Sequence, residues 1–304
     1  MSLISLKRYA QADRRSELAK LADSERLSNV FNPSIVTLNG VTHLAFRAEK
    51  TPGSRPFNAL YAVRDDEGLT IVADLTEIAA TYGIRNVADP KLLELGGRVF
   101  ATFNTGFSSS EPNHLYLQQL WPQIEAPQEC ILSDRQIIEK NWAFYLDGEG
   151  SLHAIYSLTP LTTIALAAGE LGSGSSLVFE RREPGVAAVS AGLTIGTQLS
   201  FSADGSAWLV AHQKLRILRR RAYFGRLVRT QFSPDGGVKI EVGTHSLVHS
   251  IASTLPRLPR HNRGLLSATY FAGLQCGPDG FDLSYGINDV GYSFAHVRKE
   301  DLWP

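Results

Sequence analysis

Short apolar runs recur along the chain, separated by glycine-containing turns, and five stretches share one layout. A first residue opens an apolar run, a turn follows, and a second apolar run ends on another polar or aromatic group. The stretches are NPSIVTLNGVTHLAFR from Asn32, DPKLLELGGRVFATFN from Asp89, NWAFYLDGEGSLHAIY from Asn141, TQLSFSADGSAWLVAH from Thr197 and YFAGLQCGPDGFDLSY from Tyr270. Each closes 15 positions after its opener, on Arg47, Asn104, Tyr156, His212 and Tyr285. The runs are rich in Val, Ile, Leu, Phe, Tyr and Thr, which strands favour. Asn39-Gly40, Gly96-Gly97, Asp147-Gly148, Asp204-Gly205 and Asp279-Gly280 supply the turn between runs, so each stretch predicts a β-hairpin.

Further strand-like segments lie between the hairpins, at 59–64, 114–120 and 176–182. Two hairpins per repeat make a four-stranded sheet. Openers at 32, 89, 141, 197 and 270 recur with a period above 50 residues. This predicts an all-β fold, a five-bladed β-propeller. A β-sandwich with accidental spacing is the competing reading, and the repeated offset argues against it. Residues 3–28 mix charged and apolar positions at helical spacing. The expected organisation is a short N-terminal helical extension over 1–28, acting as a cap or closing strap, and the propeller over 29–304.

Composition narrows the function classes. The 304 residues are 43% hydrophobic and 20% charged, with 30 basic and 30 acidic side chains. A zero net charge gives no general pull toward nucleic acid or membrane. The one strong basic cluster, RILRRR at 216–221, lacks the interleaved aromatics of a nucleic-acid surface and reads as a solvated loop between blades. Cys130 and Cys276 form no C-x-x-C pair and read as buried thiols. Histidines and cysteines do not cluster, so no metal is expected, and His114, His245, His249 and His261 read as structural or surface residues. No signal peptide is recognised and no apolar run is long enough for a transmembrane helix, so the cytoplasm is the expected location. The dipeptides of a WD-type interaction propeller are absent.

A hairpin returns the chain to the end from which it started. Openers and closers of five inner hairpins therefore meet around one funnel mouth. Asn32, Asp89 and Asn141 arrive as openers, and Arg47, Asn104, Tyr156 and His212 as closers. Glu139 and Lys140 flank one opener, and Asp289 follows the last closer. Polar groups converging in a concavity mark a binding site. Carboxylates, amides, cations and rings together suit a hydroxyl-rich ligand that bears or adjoins an anion. Arg47, Lys140, His212 and Tyr223 can hold a phosphate through charge-assisted hydrogen bonds. Trp142 and Tyr285 are candidates to stack on a sugar face.

The set Asn32-Pro33-Ser34, Arg47, Asp89-Pro90, Glu139-Lys140-Asn141-Trp142, His212 and Tyr285-Gly286-Ile287-Asn288-Asp289 resembles the five-bladed propellers of glycoside hydrolase family 130 and related mannosyltransferase-type propellers. The resemblance runs by motifs over roughly residues 28–298. Glu139–Trp142 with Tyr156-Ser157-Leu158-Thr159-Pro160 is its most specific part. It implies action on a glycosidic bond, often of a β-mannoside, with phosphate, water or an acceptor sugar as second partner. In the family, the aspartate of a Glu-Asp-Pro-Arg motif is the proton donor. That role falls on Asp89, and the anion-binding roles fall on Arg47, Lys140, His212 and Tyr223. Ala88 stands where the family has Glu, and Lys91 where it has Arg.

Glycosidic chemistry needs one carboxyl for the leaving-group proton and a second group to activate or replace the nucleophile. Asp89 is the expected acid, and Asp289 and Glu139 are the candidates for the second carboxylate. No cofactor is expected, with inorganic phosphate or a sugar nucleotide as co-substrate and an oligosaccharide or glycoside as substrate. The competing function is a non-catalytic glycan-binding propeller. The sugar, the acceptor and the oligomeric state stay open.

Overall fold

The computed structural model describes residues 2–53, 57–106, 111–182, 192–217, 220–233, 236–254 and 265–303. His261 and residues 218–219 of the basic run lie outside them. The five matched stretches all fold as antiparallel hairpins. At the first turn Asn39 and Gly40 both take positive φ, 51° and 81°, the two-residue geometry whose twist matches its strands.

The hairpins begin successive antiparallel groups. Ser28–Leu38, Val41–Glu49, Asn58–Asp65 and Gly68–Asp74 form the first. Ala88–Leu95, Arg98–Asn104, Leu115–Trp121 and Gln128–Leu132 form the next. Ala143–Leu146, Leu152–Leu158, Leu161–Ala168 and Leu177–Arg181 follow. Then Leu193–Ile195 and Ser200–Phe201 both pair with Ala207–Ile217, which continues to Arg220–Phe232 and Val238–Val242. Leu265–Cys276, Gly280–Ile287 and Gly291–Arg298 come last.

Hydrophobic clusters fill the spaces between successive groups, and strand alternation builds them. Leu92 faces the first group while Leu93 faces the third. Phe144 packs back toward the second group while Tyr145 packs forward onto the fourth. Leu209 and Val210 divide in the same way. Both faces of these strands are buried, which is why the sequence shows continuous apolar runs rather than strict alternation.

Where groups splay apart at their inner strands, side chains replace the missing ladder. Ser34 Oγ donates to Ala272 O and accepts from Leu92 N, joining three groups at 2.9 and 2.8 Å. Gln275 bonds both backbone groups of Thr37 and so links the last group to the first. Gln198 bonds Phe144 N, Trp142 O and Thr102 Oγ1. Buried backbone groups need such partners, and the result is a set of curled sheets gathered about one axis.

The N-terminal stretch is only partly helical. Leu3–Ser5 pairs in parallel with Ser246–Val248, and Ala10 bridges to Ala295. The helix Ala12–Ser24 then buries Leu18, Leu21 and Ala22 beside Ile35 and Phe294. The described residues of the basic run are strand: the ladder of Ala207–Ile217 with Arg220–Phe232 continues to Ile217 opposite Arg220. No helix among the described residues is long and apolar enough to cross a membrane.

Candidate functional site

A cavity of about 950 Å³ opens where the hairpin openers and closers meet. Asn32, Asp89 and Asn141 line it, and all three hold left-handed backbone, with φ of 50°, 51° and 62°. Asn and Asp accept this region where other side chains resist it. Register shifts flank two of them, between Phe31 and Ser34 and between Ala88 and Lys91. A bulge re-aims the side chain it carries. The same device, repeated in neighbouring hairpins, turns the openers toward a common space.

Asp89 sits in a built setting. Arg47 Nη1 donates to its Oδ1 at 3.5 Å. The Arg47 guanidinium is itself held between Phe31 and Phe57, 5.2 and 5.1 Å from their ring centres. Tyr270 lines the cavity with Asp89, and its hydroxyl is pushed well above the ordinary value by burial and by the Asp89 charge. Tyr270 also packs against His212, with ring centres 4.6 Å apart, and lies under the Lys91 ammonium. Tyr270 is central here yet was not among the expected site residues. Its position as opener of the last stretch was the signal that marks it.

Lys91 is the other unexpected participant. It is 1% exposed, and its Nζ donates to Asn141 Oδ1 at 2.5 Å. Burial pushes its ammonium down to about 7, with Asp89 opposing and Lys140 adding to the shift. The unfolded value lies near ~10.4, so above pH 7 the unfolded chain binds more protons, and this group makes stability rise with pH through that interval. Lys91→Met removes the titration together with the hydrogen bond to Asn141. Relative to the variant, the parent is expected to gain about 2 kcal/mol between pH 7 and 9. Urea unfolding of both proteins at the two pH values measures this, and parallel behaviour would reject it.

His212 lines the cavity but is not a cation there. Its Nε2 accepts Phe271 N–H at 2.9 Å. Burial, with Lys91, Lys214 and Lys140 nearby, holds it well below its ordinary value. A neutral ring accepting at Nε2 carries its proton on Nδ1, so the anion-binding charge expected of His212 becomes a single neutral donor.

Glu139 is 3% exposed and both its oxygens are engaged. Oε1 accepts from Gln136 N and the Tyr156 hydroxyl, at 2.6 and 2.9 Å, and Oε2 accepts from Trp142 Nε1 at 3.0 Å. Its carboxylate lines the cavity and also pins the 136–142 segment beneath Lys140. Tyr156 lines the cavity, and burial with the Glu139 bond raises its hydroxyl to about 12. Lys140, Tyr223 and Asp289 complete the expected residues found on the wall, with Lys214 and Arg221 as additions.

Three expected ligand contacts are not on that wall. Trp142 is 1% exposed and packs with Tyr156, Phe144 and Phe179 in the core. Tyr285 is fully buried, beside Phe271. Neither ring offers a sugar a face, because their strands turn them between sheets. Asn104 donates to Ala88 O and accepts from Gly106 N, so it braces the bulge beside Asp89 from behind.

One glycine is needed for this arrangement. A Cβ on Gly286 would lie 1.8 Å from Asn32 Oδ1. Gly286→Ala must therefore displace Asn32, and is expected to destabilise by about 1–3 kcal/mol, read as a lowered unfolding midpoint. A midpoint unchanged from the parent would show that Asn32 yields freely.

The chain is similar in fold to solved structures of carbohydrate-active proteins. A GDP-Man-dependent mannosyltransferase from Leishmania mexicana superposes with a TM-score of 0.59 at 13% identity, over 91% of this chain and 87% of that one. A mannose phosphorylase from the same organism, in complex with phosphate ion, gives 0.56 at 12% identity over 94% of both chains. A structure from the GH130 family of mannoside phosphorylases, which contains glycoside hydrolases that target β-1,2 mannosidic linkages in Candida mannan, gives 0.54 at 12% identity over 90% and 85%. No family model matches the chain, and no curated protein matches it in sequence.

Proposed function

We propose that the chain is a five-bladed β-propeller enzyme that cleaves or forms a glycosidic bond, directed at mannosides, with Asp89 as the proton donor. One observation carries the reading. Asp89 occupies a left-handed bulge on the cavity wall, oriented by Arg47, with Tyr270 on the same wall. Backbone held in a sparsely populated region at a cleft is the kind of arrangement functional sites keep. Five hairpins with clusters interleaved between their groups support the blade count. The mannosyltransferase and phosphorylase named above support the substrate class.

In the cleavage direction, the bond from the anomeric carbon to the bridging oxygen breaks, and Asp89 gives that oxygen its proton. A nucleophile oxygen forms the new bond at the same carbon. Asp289, on the same wall, is the second carboxylate and takes a proton from water. Where the nucleophile is phosphate, Lys140, Tyr223 and the His212 Nδ1–H supply donors for it.

A non-catalytic glycan-binding propeller is favoured by the departures at Ala88 and Lys91, of which Lys91 weighs more. It stands at the family's Arg position but bonds Asn141 instead of reaching the cavity as a bidentate fork. Incubation with β-mannosides, with and without phosphate, and with a mannose nucleotide plus acceptors separates the two. Sugar release or transfer supports the enzyme. Saturable binding with no turnover of any substrate supports the binding protein.

A further inference from the structure

The hairpin Ala207–Ile217/Arg220–Phe232 runs from the cavity floor out past its mouth. His212 stands opposite Gly225, Lys214 opposite Tyr223, and Arg216 opposite Arg221. Strand periodicity of two places these side chains on one face. Exposure rises along it, from a buried His212 to exposed Lys214, Arg216 and Arg221. His212, Lys214, Tyr223 and Arg221 all line the cavity, while Leu215 and Arg220 belong to the other face by the same alternation.

This face carries like charges where a sheet ordinarily avoids them. Arg216 directly opposite Arg221 is a destabilising cross-strand pair. No carboxylate among the described residues forms an ion pair with Lys140, Lys214, Arg216 or Arg221. Of the three acidic groups on the cavity wall, Asp89 is held on Arg47 and Glu139 on Trp142 and Tyr156, which leaves Asp289 as the third beside four cations. The strain registers in Lys214, whose ammonium is lowered by partial burial and by the charges of Lys140 and Arg221. An anion on this face would relieve it. Lys214 and Arg216 lie one two-residue step apart, about 7 Å along the strand, so the cationic strip is longer than one phosphate.

We propose that this hairpin face is an anion subsite, outward of Asp89, that takes the diphosphate group of a second substrate. The inference rests on the glycosyl reading only for its role. There it selects a nucleoside diphosphate sugar, in preference to orthophosphate, as the glycosyl partner.

Calorimetric titration of the full chain with pyrophosphate and with orthophosphate tests it. Pyrophosphate is expected to bind at least about 10-fold more tightly. Lys214→Ala/Arg221→Ala is expected to weaken pyrophosphate by on the order of 30-fold or more, with the unfolding midpoint retained. Arg220→Ala, on the opposite face, controls for net charge and is expected to change affinity less than about 3-fold. GDP, UDP and ADP then identify the source. Affinity above that of pyrophosphate marks a nucleoside diphosphate, and equal affinity marks another diphosphate ester. Equal affinity for orthophosphate and pyrophosphate, or an equal loss in Arg220→Ala, would overturn the subsite. Mannoside cleavage without pyrophosphate binding overturns the subsite alone. Pyrophosphate binding through this face without turnover of any glycoside overturns the catalytic reading and leaves the subsite standing.

Discussion

Asp89→Asn is expected to lower kcat by about 10³-fold, within the range positioned acids contribute, while ligand affinity stays within a few-fold. The substitution is unusually clean at this position. Asn keeps the shape of the side chain and can still accept from Arg47 Nη1. It also tolerates the left-handed backbone, as Asn32 and Asn141 already do at the equivalent places in neighbouring hairpins. What it cannot do is deliver a proton to a leaving oxygen. Arg47 loses its ion pair but remains held between Phe31 and Phe57. Steady-state rates on the mannoside that proves active, with ligand affinity measured separately, provide the readout. A variant that keeps its rate would reduce Asp89 to a binding group. A variant that loses affinity and rate equally would point to a collapsed pocket instead.

Trp142→Ala is expected to destabilise the fold by about 3–5 kcal/mol and to lower the unfolding midpoint by on the order of 10 °C. The indole fills the space between two strand groups, in edge contact with Tyr156 and Phe179 at 5.5 Å each. Its Nε1–H is also one of the donors that satisfy the buried Glu139 carboxylate. Truncation leaves a cavity and an under-satisfied buried charge together. A sugar-stacking platform would behave in the opposite way: affinity would fall and stability would barely change. Thermal unfolding beside ligand titration separates the two outcomes. A stable variant with weakened binding would return Trp142 to the site.

The misplacement of Trp142 and Tyr285 has a physical cause. Opening and closing positions bring a residue to the funnel end of its hairpin, but the side chain's direction depends on local register. Arg47 lines the cavity, whereas Tyr285, also a closer and also beside a register shift, turns between sheets and packs on Phe271. The bonding of Glu139 was hidden from sequence for a related reason. Its type and neighbours fit a reacting carboxyl, yet Gln136, Tyr156 and Trp142 together consume its acceptors. The basic run at 216–221 looked like a solvated loop because charge dominates its composition. Its alternation continues the strand, and the continuation builds the cationic wall.

The chain's own order was enough for the five hairpins, their turns and the strand-like segments between them, because hairpin pairing is local and turn chemistry and apolar spacing encode it directly. It also marked Asp89 and Asn32 as openers, since Asn and Asp at one repeated position are a statement about backbone conformation as much as about chemistry. Charge states and facing were decided only by tertiary structure. Whether Lys91 is a buried near-neutral amine, His212 a neutral donor, or Lys214 and Arg221 neighbours across a cavity depends on desolvation and on groups distant in sequence. Those energies exist only once the strand groups have closed around a common axis.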